Sequence, residues 1–248
     1  VSWSLFKTPE NQPSEEELLE IQKGRGNIFA PFKDIFESLV FLPTTLCQLA
    51  IVYLFQWYAM FIYWQYISLS VASSIWHTDI QNKELYDQAA RWTSLANGFY
   101  NIVTFLSAFA LVILARKITA RYVHMVCLVL AGLAMMAIPM VDNKYVLFLP
   151  MVGIGIAWAS MMGIPYIMVA SSIPPSKNGV YMGIVNMMIV IPMFIESLSF
   201  GKIYDLFLDS TPGNAIRFAG FLLLLAAVAT RFIQVKKEQF DAAAPAGH

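Results

Sequence analysis

Residues 151–194 read MVGIGIAWASMMGIPYIMVASSIPPSKNGVYMGIVNMMIVIPMF, and they belong to two apolar runs joined by a short turn. The runs cover residues 145–173 and 180–201, and the turn between them is PPSKNG. Each run supplies the roughly 20 residues that a helix needs to cross about 30 Å of hydrocarbon. The pattern therefore predicts two membrane-spanning helices with a short connection.

The first of these runs contains residues that weaken a helix in water. In a membrane bundle such residues allow close helix approach, or local unwinding where protein or a water-filled cavity covers the freed backbone groups. Interrupted helices also mark the substrate site of many transporters. We therefore expect this helix to be broken near a site. The residues concerned are Gly153, Gly155, Gly163 and Pro165.

The composition of the 248-residue chain is that of an integral membrane protein. Hydrophobic residues make up 58% and charged residues only 13%, with a mean hydropathy of +0.61. A soluble domain carries about 25% charged residues. Because the apolar runs have the length of helices, we expect an all-α polytopic membrane protein rather than a barrel. The formal net charge of +0 gives no support to a nucleic-acid partner.

Six spans and two flanking segments are predicted along the chain. The spans cover residues 44–70, 93–114, 122–141, 145–173, 180–201 and 215–235. They form a bundle over residues 44–235, between a cytoplasmic linker at residues 1–43 and a cytoplasmic tail at residues 236–248. Residues 27–40 have helical apolar spacing, which predicts an amphipathic helix at the membrane surface or a soluble connector. The chain begins with Val1 rather than Met, and we interpret it as a piece whose upstream part is missing.

The basic residues predict the orientation of the spans. If the N-terminal segment is cytoplasmic, eleven of the 16 Lys and Arg residues lie on the inside and five on the outside. This bias follows the positive-inside rule with both termini in the cytoplasm. We therefore expect a protein of the inner (cytoplasmic) or plasma membrane.

Motifs for enzymatic, metal or cofactor chemistry are not visible in the sequence. It contains no nucleophile elbow, no His pair with zinc spacing and no Gly-rich phosphate loop. Cys47 and Cys127 lie in apolar runs without metal-ligand spacing, and the three histidines are scattered. We therefore expect no enzyme activity, no metal and no cofactor.

The first span carries aromatic and amide side chains deep in its apolar run. Trp57, Phe61 and Trp64 recur at helical spacing, and Gln56 and Gln65 stand beside the two tryptophans. Aromatic faces stack on the C–H surfaces of a sugar, and amides exchange hydrogen bonds with its hydroxyls. Nine residues at 100° each place the two amides about 180° apart, so only one is expected to face a cavity. An aromatic belt or ordinary helix packing is the alternative.

Three other spans add polar and aromatic side chains to the candidate site. In the second span they form one stripe on an apolar helix, which predicts a face toward a cavity or another helix. Packing and interhelical hydrogen bonding are the alternatives. The side chains are Asn97 and Asn101 in the second span, Trp158 and Tyr166 in the fourth, and Asn186 in the fifth.

Glu196 is the only acidic residue well inside a predicted span. A charged side chain at the membrane centre costs at least about 2.5–3.5 kcal/mol on insertion scales. The position therefore predicts a functional carboxylate that binds a proton or pairs with a cation or substrate. A milder environment near the outer interface is the alternative, because Glu196 lies in the later part of its span.

Four segments of the chain together carry a family resemblance. They are QLAIVYLFQWYAMFIYWQY at residues 48–66, LARKITARYVHMVCLVLAGL at 114–133, GIGIAWASMMGIPYIMVASSIPPSKNGVYMGIVNMMIVIPMF at 153–194 and NAIRFAGFLLLLAA at 214–227. With them the chain resembles the C-terminal half of a major facilitator superfamily transporter, in the sucrose-transporter-like branch of sugar–cation symporters. The resemblance implies a twelve-helix protein that alternates between inward-open and outward-open states. This chain would supply the last six helices and pair with an N-terminal six-helix half.

These patterns and the resemblance together imply secondary active transport of a sugar, a di- or oligosaccharide glucoside, coupled to a cation. A proton is favoured over sodium, and Glu196 is the ion-coupling candidate. Three alternatives stay open: an exporter of drug-like or lipidic compounds, a non-transporting receptor or scaffold with the same fold, and a six-helix channel. The residues expected to contact the sugar are Gln56, Trp57, Phe61, Trp64, Gln65, Asn97, Asn101, Trp158, Tyr166 and Asn186.

Overall fold

The computed structural model describes residues 41–173 and 177–234 of the chain, apart from the side chain of Arg116. The amphipathic helix expected at residues 27–40 lies outside the described residues. So do the tail at residues 236–248 and nearly all of the linker at residues 1–43. These assignments stay predictions.

Six α-helices make up most of the described chain, and all six are long and apolar enough to cross a membrane. The described residues contain no β-strand, so the all-α prediction is confirmed. A short 3-10 turn, Ile138–Met140, extends the third helix. The helices are α1 (Thr44–Ile75), α2 (Lys83–Lys117), α3 (Ala120–Ala137), α4 (Phe148–Ala170), α5 (Asn178–Phe207) and α6 (Pro212–Thr230).

Helix α2 begins at Lys83, well before the apolar span predicted from residue 93. Its start is capped by the side chain of Asn82, whose amide oxygen accepts a hydrogen bond from the Leu85 backbone N–H at 3.3 Å. The helix has 35 residues, which corresponds to about 50 Å and exceeds the thickness of the hydrocarbon. Hydropathy predicts only the apolar part of this helix, because it does not register the polar first turns.

Helix α4 is continuous, so the prediction of a broken helix is wrong. Pro165 lies inside it at a buried position. The glycines serve close packing instead of unwinding: a Cβ on Gly155 would lie 2.6 Å from the Tyr100 carbonyl oxygen of α2, and one on Gly153 would lie 3.1 Å from α3. A Cβ on Gly163 would meet nothing within 4 Å.

Helix α1 lies at the centre of the packing, in contact with α2, α5 and α6. Helix α3 packs on both α4 and α6, and α2 packs on α4. Where α3 and α6 cross, a Cβ on Gly220 would lie 2.6 Å from the carbonyl oxygen of Gly132, so two small residues permit this approach. Helix α5 rests mainly on α1.

Large apolar side chains are exposed on α2 and α5. Phe105 and Phe109 of α2 are 63% and 62% exposed, and Phe194 and Leu198 of α5 are 62% and 69% exposed. Exposed apolar surface of this kind requires lipid or another protein to cover it. The packing and the composition of the helices therefore both fit an integral membrane protein.

Candidate functional site

Three tryptophans form a cluster between α1 and α4. The ring of Trp158 on α4 lies 6.0 Å from that of Trp57 and 5.8 Å from that of Trp64, both edge-on, and the two α1 rings are 6.5 Å apart. Trp57 is buried, whereas Trp64 is 40% exposed. Phe61, between them in the sequence, is half-buried. The cluster therefore extends from the core of the bundle to an open indole at its surface.

A carboxylate lies beside this cluster, in the contact between α1 and α5. The side-chain nitrogen of Gln65 donates to both carboxylate oxygens of Glu196, at 3.1 and 3.0 Å. Glu196 is only 1% exposed. It lies about 16 Å along α5 from the end at Phe207 and about 27 Å from Asn178, so it is well inside the helix. The amide of Gln65 is the only hydrogen-bond donor that the described part of the chain gives this carboxylate.

A third side-chain contact joins α4 to α5. The Tyr166 hydroxyl of α4 donates to the amide oxygen of Asn186 on α5 at 3.4 Å, a long hydrogen bond. Tyr166 is half-buried and Asn186 is exposed. Helices α1, α4 and α5 are thus joined in pairs by side chains that the sequence had singled out. We call this group the three-helix site: Trp64, Gln65, Trp158, Tyr166, Asn186 and Glu196.

Gln56 is not part of the three-helix site. It is fully buried, and its amide oxygen lies 3.1 Å from Nε2 of His124 on α3. The other ring nitrogen of His124 lies 2.9 Å from the hydroxyl of Ser160 on α4. The two amides of α1 therefore have different neighbours, α3 for Gln56 and α5 for Gln65. The structure does not bring Gln56 to the surface where it was expected to contact a sugar.

Some polar side chains of the α2 stripe pack against neighbouring helices, and others are exposed. The amide oxygen of Asn97 accepts a hydrogen bond from the buried Tyr63 hydroxyl at 2.8 Å, which ties α2 to α1. Thr104 donates to backbone oxygens, one of them on Gly155 of α4. Asn101 is exposed, and its side-chain nitrogen donates to the Asn97 backbone oxygen within the same helix at 2.8 Å. Of the two asparagines, Asn101 is therefore the one whose side chain is accessible to a ligand.

His124 and Ser160 are two polar side chains for which the sequence indicated no hydrogen-bond partner. Each stands inside an apolar span, and such a group requires a partner within the bundle. The sequence therefore signalled that each of these side chains needs a partner. The identity of the partner was not visible, because Gln56, His124 and Ser160 come from three helices.

The three-helix site combines three kinds of chemistry. The exposed face of Trp64 can stack on an apolar C–H surface, and the edge of Trp158 holds that indole in place. The amide of Asn186 and the hydroxyl of Tyr166 can exchange hydrogen bonds with hydroxyl groups. Glu196 adds one buried carboxylate with a neutral partner. Within residues 41–173 and 177–234 no group of three or more His, Cys, Asp or Glu side chains could hold a metal ion.

Comparison with known proteins gives the chain a family. The family model for the Major Facilitator Superfamily matches residues 1–195. Sucrose transport protein SUT5 of Oryza sativa subsp. indica is 26% identical to the chain, over 87% of this chain and 46% of that protein. The protein of the same name from Oryza sativa subsp. japonica gives the same values. The chain spans about half the length of these curated relatives, and no solved structure matches it significantly.

Proposed function

The chain belongs to the major facilitator superfamily, and on that premise we propose that it forms half of a secondary active sugar transporter. Family membership and the similarity to sucrose transport proteins support transport in general. In the proposed mechanism, the protein alternates between two states that open to opposite sides. A ligand shifts such an equilibrium only if it binds the two states with different affinities. The sugar and the cation would therefore each bind one of the two states more tightly than the other.

The observation that carries the proposal is the three-helix site. A di- or oligosaccharide glucoside presents apolar C–H faces and a rim of hydroxyls. The three-helix site offers an open indole and, about 12–15 Å farther along α4 and α5, a phenol and an amide. Trp64, Tyr166 and Asn186 would contact the sugar directly, and Asn101 is a further candidate because it is exposed. Trp57 and Phe61 would support the indoles of Trp64 and Trp158 from within the bundle.

Glu196 is the proposed ion-coupling residue. A buried carboxylate whose described partner is a neutral amide has no counter-charge in that contact, so its ionised form is costly in a membrane. Binding a proton removes that charge. A sodium ion would require several oxygen ligands, whereas Gln65 presents a nitrogen to the carboxylate. In our proposal the coupling ion is a proton, because burial of Glu196 without a counter-charge in its contact with Gln65 disfavours its ionised form.

We further propose that the chain works with a second six-helix half. The relatives are about twice as long as the part that this chain matches. The exposed apolar faces of α2 and α5 also offer surface for another helical half. Intact mass measurement of the natural protein tests this point: a 27.9 kDa product that transports as a monomer would contradict it.

The experiment that tests the transport proposal is counterflow in proteoliposomes containing the natural full-length protein. Vesicles are loaded with unlabelled sucrose, maltose or trehalose, and the same sugar is added outside in trace labelled form. We expect transient accumulation of label for at least one disaccharide, with protein-free vesicles as the control. Exchange of none of the three, or exchange that never saturates, would contradict the proposal.

A further inference from the structure

A buried polar chain links three helices behind the tryptophan cluster. His124 of α3 stands between the amide oxygen of Gln56 on α1, at 3.1 Å, and the hydroxyl of Ser160 on α4, at 2.9 Å. All three side chains are 0% exposed. The proposed transport mechanism assigns them no task.

The chemistry of the imidazole suits it to a bridge between an acceptor and a hydroxyl. The Gln56 oxygen can only accept, so Nε2 of His124 carries the hydrogen in this contact. In the neutral ring Nδ1 is then an acceptor, and the Ser160 hydroxyl donates to it. One tautomer satisfies both contacts, and the rigid ring fixes the separation of the two partners.

The partners of His124 are close in sequence to two tryptophans of the cluster, Trp57 and Trp158. Gln56 immediately precedes Trp57, and Ser160 follows Trp158 by two residues. The rings of Trp57 and Trp158 meet edge-on at 6.0 Å. Direct contact between α1 and α4 is sparse, whereas α3 packs extensively on α4. The imidazole therefore bridges α1 and α4 at the level of the tryptophan cluster, on a different side of each helix from the indole, because side chains one or two residues apart do not share a helix face.

We propose that His124 is a positioning residue that sets the spacing of α1 and α4, and with it the geometry of the indoles that receive the sugar. It does not touch the substrate. The assignment rests on the proposed sugar transport for its functional consequence, but the spacing itself is a property of the folded protein. Loss of the imidazole leaves Gln56 and Ser160 buried without their partner, and α1 shifts to relieve this.

Two readouts test the proposal in the natural full-length protein. The first is the KM for counterflow of the disaccharide that the wild type exchanges, together with the maximal rate per inserted molecule. Relative to wild type, we expect His124→Leu and Ser160→Ala each to raise KM by about tenfold, with the maximal rate changed much less. His124→Gln retains a donor and an acceptor and restores part of the loss.

The second readout is independent of transport. Spin labels at two exposed positions, Leu54 of α1 and Met162 of α4, report the distance between these helices in a background without Cys47 and Cys127. We expect a shifted or broadened distance distribution in His124→Leu and Ser160→Ala. If His124→Leu does not insert into the membrane, both measurements are made on the variant with the smaller change, Ser160→Ala.

Thr230→Val is the matched control for loss of a buried hydroxyl. Thr230 is also 0% exposed, but its hydroxyl donates to Ala226 within its own helix. The control is expected to keep the wild-type KM and distance. An unchanged distance in Ser160→Ala, or a shift of equal size in the control, overturns the proposal. If the wild type exchanges no sugar, the proposed function fails, and the distance measurement alone decides the positioning role.

Discussion

The amide nitrogen of Gln65 donates to both carboxylate oxygens of Glu196, at 3.1 and 3.0 Å, and joins α1 to α5 inside the bundle. Gln65 follows Trp64, whose indole packs on Trp158. The proposed ion site and the proposed sugar site are therefore adjacent on one helix. A change in the protonation of Glu196 would alter a hydrogen bond one residue away from the indole proposed to contact the sugar.

The role of Glu196 in ion coupling predicts separate effects on accumulation and exchange. Glu196→Gln removes the titratable group but keeps its size, so gradient-driven sugar accumulation should fall by at least about tenfold, much more than counterflow. Uptake under an imposed pH gradient measures the first quantity. Asp205→Asn is the control, because Asp205 is exposed near the end of the same helix and accepts from Ser210. Equal losses in accumulation and exchange would argue against a coupling role.

Trp64 should contribute directly to sugar affinity. Removing its indole in Trp64→Ala loses stacking on the sugar and contact with Trp158, so KM for counterflow should rise by about two- to tenfold. Trp64→Phe should retain part of the affinity. Trp92→Phe is the control: Trp92 packs on Tyr145 and Phe148 instead. A wild-type KM in Trp64→Ala would remove this residue from the site.

Asn97 and Asn101 should behave differently although both belong to one stripe. Asn97→Ala leaves the buried Tyr63 hydroxyl with only the weak acceptor Met151 Sδ, at 3.7 Å, and should destabilise the protein by about 1–3 kcal/mol. Asn101→Ala removes an exposed amide and should lower sugar exchange without loss of membrane insertion or thermal stability. Thermal unfolding in detergent and counterflow separate the two effects. The reverse pattern would place Asn97, not Asn101, at the sugar.

Close packing of α4 on α2 depends on the absence of a side chain at Gly155. A Cβ there would lie 2.6 Å from the Tyr100 carbonyl oxygen, so Gly155→Ala should destabilise the protein by about 1–3 kcal/mol. Gly163→Ala on the same helix meets nothing within 4 Å and should be neutral or stabilising. The midpoint of thermal unfolding in detergent checks both. Equal midpoints for the two variants would contradict the packing account.

The six spans were predictable because hydropathy is a local property of the chain. The ends of the helices were harder to predict: α2 begins at Lys83, well before the span predicted from residue 93. The expected break in α4 was wrong because Gly and Pro can serve either unwinding or packing. Which of these applies depends on the neighbouring helix: the backbone of α2 passes close to Gly155, and the sequence of α4 does not contain that information.

The sequence had singled out all six residues of the three-helix site, but it did not predict their pairings. Helical geometry indicated that Gln56 and Gln65 point in opposite directions, although it did not tell which of them faces a cavity. The structure gives the two amides different neighbours, α3 for Gln56 and α5 for Gln65, and only Gln65 is exposed. His124 was visible only as an isolated polar residue, because its partners lie 68 and 36 residues away in the chain.

Proton movement evoked by sugar is the most direct measurement of the proposed coupling. Proteoliposomes containing the natural full-length protein and a pH-sensitive dye inside receive the disaccharide that the protein exchanges. The proposed symport predicts that the lumen acidifies in wild type and that Glu196→Gln reduces this acidification strongly. Sugar entry with no change of luminal pH, or acidification that is the same in Glu196→Gln, would contradict it.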